Sequence, residues 1–157
     1  MILVLPVAIK PHLKSYLANK CAIEPHLVLS HKNKYSSFLL NSLRSKSLML
    51  TDAENRYKIG DKPDKIMVSI PEFYEKNFGI TISIAHQYWF NKFLQEDFID
   101  QMMFCIGPWV TGKKGEIKPR LLAFREKYDI TEDDLPFKTL EKMWERNRHR
   151  LPSFRMN

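Results

Sequence analysis

Lys138, Lys142, Arg146 and Arg150 recur at every fourth residue near the C-terminus, a spacing that lines four cations along one stripe of a helix. Such a stripe neutralises a row of anions, and the phosphates of a nucleic acid are such a row. Asn147 and Arg148 fall in the same stretch and carry donors able to reach base edges. Upstream, Lys113 and Lys114 add two more cations within the segment GPWVTGKKG. A second account competes, because basic residues in the last turn of a helix also favour its dipole. Like charges four residues apart cost about 0.2 to 0.5 kcal/mol per pair in an isolated helix. Glu141 and Glu145 offset part of that repulsion, leaving Arg146, Arg148, His149 and Arg150 as an uncompensated cluster.

Patterns for catalysis are incomplete. Gly107, Gly112 and Lys113 reproduce the GxxxxGK skeleton of a phosphate-binding loop, but Lys114 stands where Ser or Thr would hold magnesium. That segment also follows a helical pattern where a strand is required, so it reads as a flexible basic connector whose lysines touch phosphates. Pro63 and Asp64, with Glu116 and Lys118 far downstream, match short elements of metal-dependent nucleases. Their linker positions do not bring carboxylates together on adjacent strands, as a magnesium site needs. Glu96, Asp97 and Asp100 read as a solvated helix face. His12, His26, His31, His86 and His149 lack ligand spacing, and neither CxxC nor GxSxG occurs. No catalytic residue, metal or cofactor is expected. Cys21 and Cys105 read as two free, mostly buried thiols in a reducing compartment.

The elements that position these residues follow from apolar periodicity. Ile2 to Ile9 reads as a strand, and Pro11 starts a helix with Leu13, Tyr16 and Leu17 on one face. A short apolar stretch, Leu27 to Leu29, ends at Ser30, and Phe38, Leu39, Leu40 and Leu43 mark a second helix. Residues Ser45 to Asp64 form a polar linker with Gly60 and Pro63. The order then recurs: Lys65 to Ile70 alternates as a strand, Pro71 starts a helix, Ile80 to Ile82 is extended, and Ser83 caps a long helix. The recurrence suggests a degenerate duplication whose strands pair about a pseudo-twofold axis. Tyr88, Phe90, Phe93, Leu94, Phe98, Ile99, Met102 and Met103 give the long helix an apolar face wide enough for a central core element.

After Gly107 to Gly115, Leu121, Phe124 and Tyr128 define one helix. Phe137, Leu140, Trp144 and Leu151 define another, with Thr131 and Asp134 as a capping pair and Asp134 the cap of the last helix. The expected fold is α+β and mostly helical: residues 1–110 form a small-sheet and helix core, and residues 111–157 form a basic helical module. Composition agrees with this, with 157 residues, 44 % hydrophobic, 27 % charged and only 5 Gly, against disorder and against a turn-dense barrel. Pro6 interrupts the apolar N-terminus and no basic residue precedes it, so no secretion signal is expected. No apolar run is long enough to span a membrane, and no membrane partner is expected. The net charge of +7 suits a polyanion and is uneven, with net +6 over residues 1–51, −3 over 52–100 and +4 over 101–157.

The stretch RLLAFREKYDITEDDLPFKTLEKMWERNRHR resembles a small helix-turn-helix unit, and the full layout is similar to small DNA-binding proteins of phages and mobile elements. Trp144, Asn147 and Arg148 also match the WxxNR spacing of homeodomain recognition helices, but Glu141 then falls where homeodomains place an apolar residue. The adenine contact of that family is not transferred to Asn147. The resemblance implies a non-catalytic double-stranded DNA-binding protein, a regulator or accessory factor acting in the host cytoplasm or carried in a virion. The alternative is a structural or adaptor protein, a virion or assembly component, whose basic surface meets an acidic protein and whose aromatic helix serves a homo-oligomer.

Overall fold

The computed structural model describes residues 3–44 and 57–150, without the side chains of Asn77, Phe78 and Arg150. The start of the first strand at Ile2, most of the first linker, and Leu151 on the last helix lie outside the described residues. The fold is α+β and mostly helical, as expected. Its elements run β1 (Leu3–Ile9), α1 (Pro11–Lys20), β2 (Leu27–Val28), α2 (Lys34–Asn41), β3 (Asp64–Ile70), α3 (Glu72–Phe78), α4 (Ile84–Ile106), α5 (Ile117–Lys127) and α6 (Phe137–Asn147). The described structure divides into two compact units, Met1–Leu94 and Gln95–Asn157, and α4 is one helix of 23 residues.

In Met1–Leu94 the sheet order is β1-β3-β2, with β1 antiparallel and β2 parallel to β3. The β1–β3 register runs from Leu3 opposite Ile70 to Ile9 opposite Asp64. Alternation places Val7 and Ile9 of β1, and Ile66, Val68 and Ile70 of β3, in the core. Pro11 occupies the first turn of α1, where its missing N–H costs nothing, and Leu13, Tyr16 and Leu17 are fully buried. Asn33 caps α2 by accepting the Ser36 N–H at 2.8 Å, and Phe38 of α2 stacks on Phe93 of α4 at 5.0 Å between centroids.

The free edge of β1 is closed by side chains. Gln87 Oε1 accepts the Ala8 N–H at 2.9 Å, and Asn91 Oδ1 accepts the Lys10 N–H at 2.9 Å. Asn91 Nδ2 donates to the Ala8 carbonyl, also at 2.9 Å. One turn apart on α4, the two amides stand in for a neighbouring strand. Pro6 has no N–H to leave unpaired, and a proline within a strand belongs at such an edge. β1 pairs antiparallel with β3, and residues 80–82 do not join the sheet. Thr81 instead bridges Arg44, its N–H donating to the Arg44 carbonyl at 3.1 Å. Gln87 and Asn91 already occupy the β1 edge that a symmetric strand would need.

Ser83 caps α4 as expected, its Oγ accepting the His86 N–H at 3.1 Å. The same Oγ lies 2.7 Å from His86 Nδ1. Burial, and then the charge of Arg44, hold the His86 ring below its ordinary pKa.

Gln95–Asn157 is built around Phe98 and Met102 of α4, Leu121 and Phe124 of α5, and Leu140 and Trp144 of α6, all at most 4 % exposed. Phe98 meets Phe124 at 5.3 Å, and Phe124 meets Tyr128 at 5.2 Å. Burial, with the negative forms of Cys105 and Asp97 nearby, pushes the Tyr128 phenol up to about 12. Among the described residues no helix is long and apolar enough to cross a membrane.

Candidate nucleic-acid interface

The last helix owes its direction to the turn before it. Helix α5 ends in a Schellman motif: the Ile130 N–H donates to the Arg125 carbonyl at 3.2 Å, and the Asp129 N–H donates to Glu126 at 3.0 Å. Asp129 takes the left-handed position of that motif at φ 54, which its short polar side chain tolerates better than most. Ile130 and Leu135 are buried on either side of the turn. The connection covers residues 128–136, longer than the three- to four-residue turn of helix-turn-helix units.

Asp134 does not cap α6. The helix starts after Pro136, leaving Asp134 outside the capping position; its own N–H donates to Thr131 Oγ1 at 3.2 Å within the turn. The carboxylate of Glu132 takes over, accepting the Phe137 N–H at 3.1 Å and 3.2 Å on its two oxygens. Arg125 Nη1 donates to Glu132 Oε2 and, at 2.9 Å, to the Leu135 carbonyl. The Arg125 hydrogen bond, then the Phe137 N–H, hold the Glu132 carboxyl below its ordinary pKa. One cation and one carboxylate thus join the end of α5 to the start of α6.

On α6, Leu140 and Trp144 face inward, and Gln95 Nε2 approaches Met143 Sδ at 3.4 Å. The expected cationic stripe is present in part: Lys138, Lys142 and Arg146 are all exposed, at the i, i+4 spacing of one helix face. Glu141 and Glu145 are also exposed on this helix. Asn147 is half-buried, with its amide donating to the Met143 carbonyl at 2.7 Å, so that donor is used within the helix. Arg148 lies in the Arg148–Arg150 turn and pairs with Glu145 at 3.4 Å, both side chains more than half exposed. A pair so exposed is weak and leaves Arg148 able to exchange partners. The Arg150 side chain lies outside the described residues.

Lys113 and Lys114 are exposed on the connector, whose backbone is hydrogen-bonded to Glu116. Thr111 N–H and Oγ1 donate to the Glu116 carboxylate at 2.9 Å and 2.6 Å, and the Gly112 N–H donates at 2.7 Å. Gly112 and Gly115 supply the positive φ angles, 91 and 79, that the reversal needs. The Thr111 hydroxyl, ahead of the two backbone N–H groups and Arg120 and against a desolvation cost, holds the Glu116 carboxyl below its ordinary pKa. The backbone N–H groups of Thr111 and Gly112 are therefore taken up by Glu116.

Asp64, the other nuclease-like carboxylate, pairs with Lys14 at 3.4 Å. Among the described residues, no three His, Cys, Asp or Glu side chains are grouped to hold a metal ion. Cys21 and Cys105 are free and half-buried, and burial raises the Cys21 thiol. Residue spacing missed Glu132 because Asp134 offers the same chemistry closer to the helix. It also did not single out Phe104 and Trp109, which are 66 % and 64 % exposed. No family model, curated protein or solved structure matches this chain.

Proposed function

We propose that this chain is a non-catalytic double-stranded DNA-binding protein, a regulator or accessory factor of a phage or mobile element, acting in the cytoplasm. The observation that carries the reading is the exposed stripe of Lys138, Lys142 and Arg146 on a helix whose other face is anchored by Leu140 and Trp144. Three cations held on a fixed helix neutralise phosphates with little ordering cost. Arg148 joins them by releasing Glu145, and Lys113 and Lys114 add contacts from the connector. Asn147 spends one amide hydrogen on the Met143 carbonyl, and its remaining amide groups, with Arg148, are the candidates for base edges.

Fluorescence anisotropy with a labelled random duplex over a salt series tests this reading. Binding whose log K falls linearly with log salt supports it, and absence of binding at low salt refutes it. A second reading, an adaptor of a virion or other assembly, is favoured by the exposure of Phe73 and Phe104, at 66 % each. A DNA-silent protein that sediments as a fixed oligomer establishes that alternative.

A further inference from the structure

Trp109 ends the 3-10 turn Gly107–Trp109 and leaves 64 % of its surface open, whereas Trp144 in the same unit is 2 % exposed. The backbone beneath it is hydrogen-bonded on both sides. The Val110 N–H donates to the Gly107 carbonyl at 3.2 Å, and Thr111 and Gly112 are clipped to Glu116. An aromatic ring on a hydrogen-bonded backbone loses little conformational freedom when it stacks on a ligand.

Local charge selects the ligand class. Glu116 is the only acidic residue between Trp109 and Arg120, and its carboxylate points its hydrogen bonds back into the connector. Lys113 and Lys114 are exposed four and five residues after Trp109 in the same connector, while Lys118 Nζ lies over the Phe137 ring at 5.6 Å. A planar π surface beside exposed cations complements a base flanked by phosphates, the arrangement by which single strands are held. In intact duplex the base faces are covered by their neighbours, so the ring finds a partner only where a base is unpaired.

We infer that Trp109 is a stacking platform for an unpaired DNA base, with Lys113 and Lys114 on the adjoining phosphates. The protein then prefers DNA carrying a gap, fork or overhang to uninterrupted duplex. This rests on the nucleic-acid reading above but on different residues from the α6 stripe.

The test compares the full chain with Trp109→Ala and Trp109→Phe on a full duplex, a single strand and a gapped duplex of matched phosphate number. Binding to vesicles of phosphatidylserine and phosphatidylcholine is measured alongside. Wild type is expected to favour the gapped duplex. Trp109→Ala should weaken gapped and single-strand binding by at least about fivefold with full-duplex affinity unchanged, while Trp109→Phe retains most of the binding. Equal affinities of wild type and Trp109→Ala, or equal losses on all three DNAs, overturn the stacking role and leave duplex binding by α6 standing. Trp109-dependent vesicle binding without a gap preference also overturns it, making the ring a lipid contact. Failure to bind any of the three DNAs removes both readings.

Discussion

In Met1–Leu94 the buried polar side chains Gln87 and Asn91 turn inward and complete a sheet edge, whereas in Gln95–Asn157 the charged groups divide their work. Arg125 and Glu132 fix the turn, and Lys138, Lys142 and Arg146 face solvent. The first arrangement stabilises, because an unpaired backbone group beside a core costs more than the bond gains. The second adds little stability, since exposed charges interact weakly through water. Charges that stabilise little and repel one another, held on a firmly anchored helix, are what a surface for an anionic partner requires. The comparison predicts that substitutions in the first region change stability without touching DNA affinity, and that neutralising the second does the reverse.

The largest expected effect breaks the anchoring of α6. Trp144→Ala should cost about 3 to 5 kcal/mol in chemical denaturation, because the cavity adds to the lost burial. DNA binding should fall with the folded population, and a variant that unfolds no earlier than wild type would show that α6 is not packed as described. Next, Asn91→Leu removes the partner of the Lys10 N–H and the Ala8 carbonyl and should cost about 1 to 3 kcal/mol. Its salt slope on DNA should match wild type; a changed slope would connect the sheet edge to the interface.

Smaller effects come from the turn. Glu132 has a folded pKa below its unfolded value, so its contribution is complete above the ordinary carboxylate range and is lost as pH falls through the folded pKa. Glu132→Gln should melt below wild type at neutral pH, with the gap closing on acidification; a constant gap across that range would exclude the charge as its cause. The smallest effect is expected at Cys21, where burial raises the thiol. Cys21→Ser should bind DNA as wild type does, and alkylation of Cys21 in the native protein should be slower than in the denatured chain. Loss of binding in folded Cys21→Ser would reveal a role for the thiol.

Much of the framework is legible in residue order. Pro11 and Ser83 mark helix starts, the alternation of Ile66, Val68 and Ile70 marks a strand, and the spacing of Lys138, Lys142 and Arg146 marks the stripe. What escapes such reading is set by tertiary competition for a single hydrogen bond. Asp134 and Glu132 both precede α6, and Pro136 together with Arg125 decides between them. Gly112 and Gly115 suggest looseness until the Glu116 carboxylate closes the loop. The amides of Gln87 and Asn91 look like polar interruptions of an apolar helix until β1 supplies their partners.

The most direct test of the α6 assignment is the triple variant Lys138→Gln, Lys142→Gln, Arg146→Gln, measured on full duplex over a salt series. Gln preserves helix propensity, so the variant should fold. If all three cations neutralise phosphates, the magnitude of the slope of log K against log salt should fall by about 2.7, from about 0.9 per contact. A folded triple variant with unchanged affinity and unchanged slope would contradict the account and leave these residues as a solvated helix face.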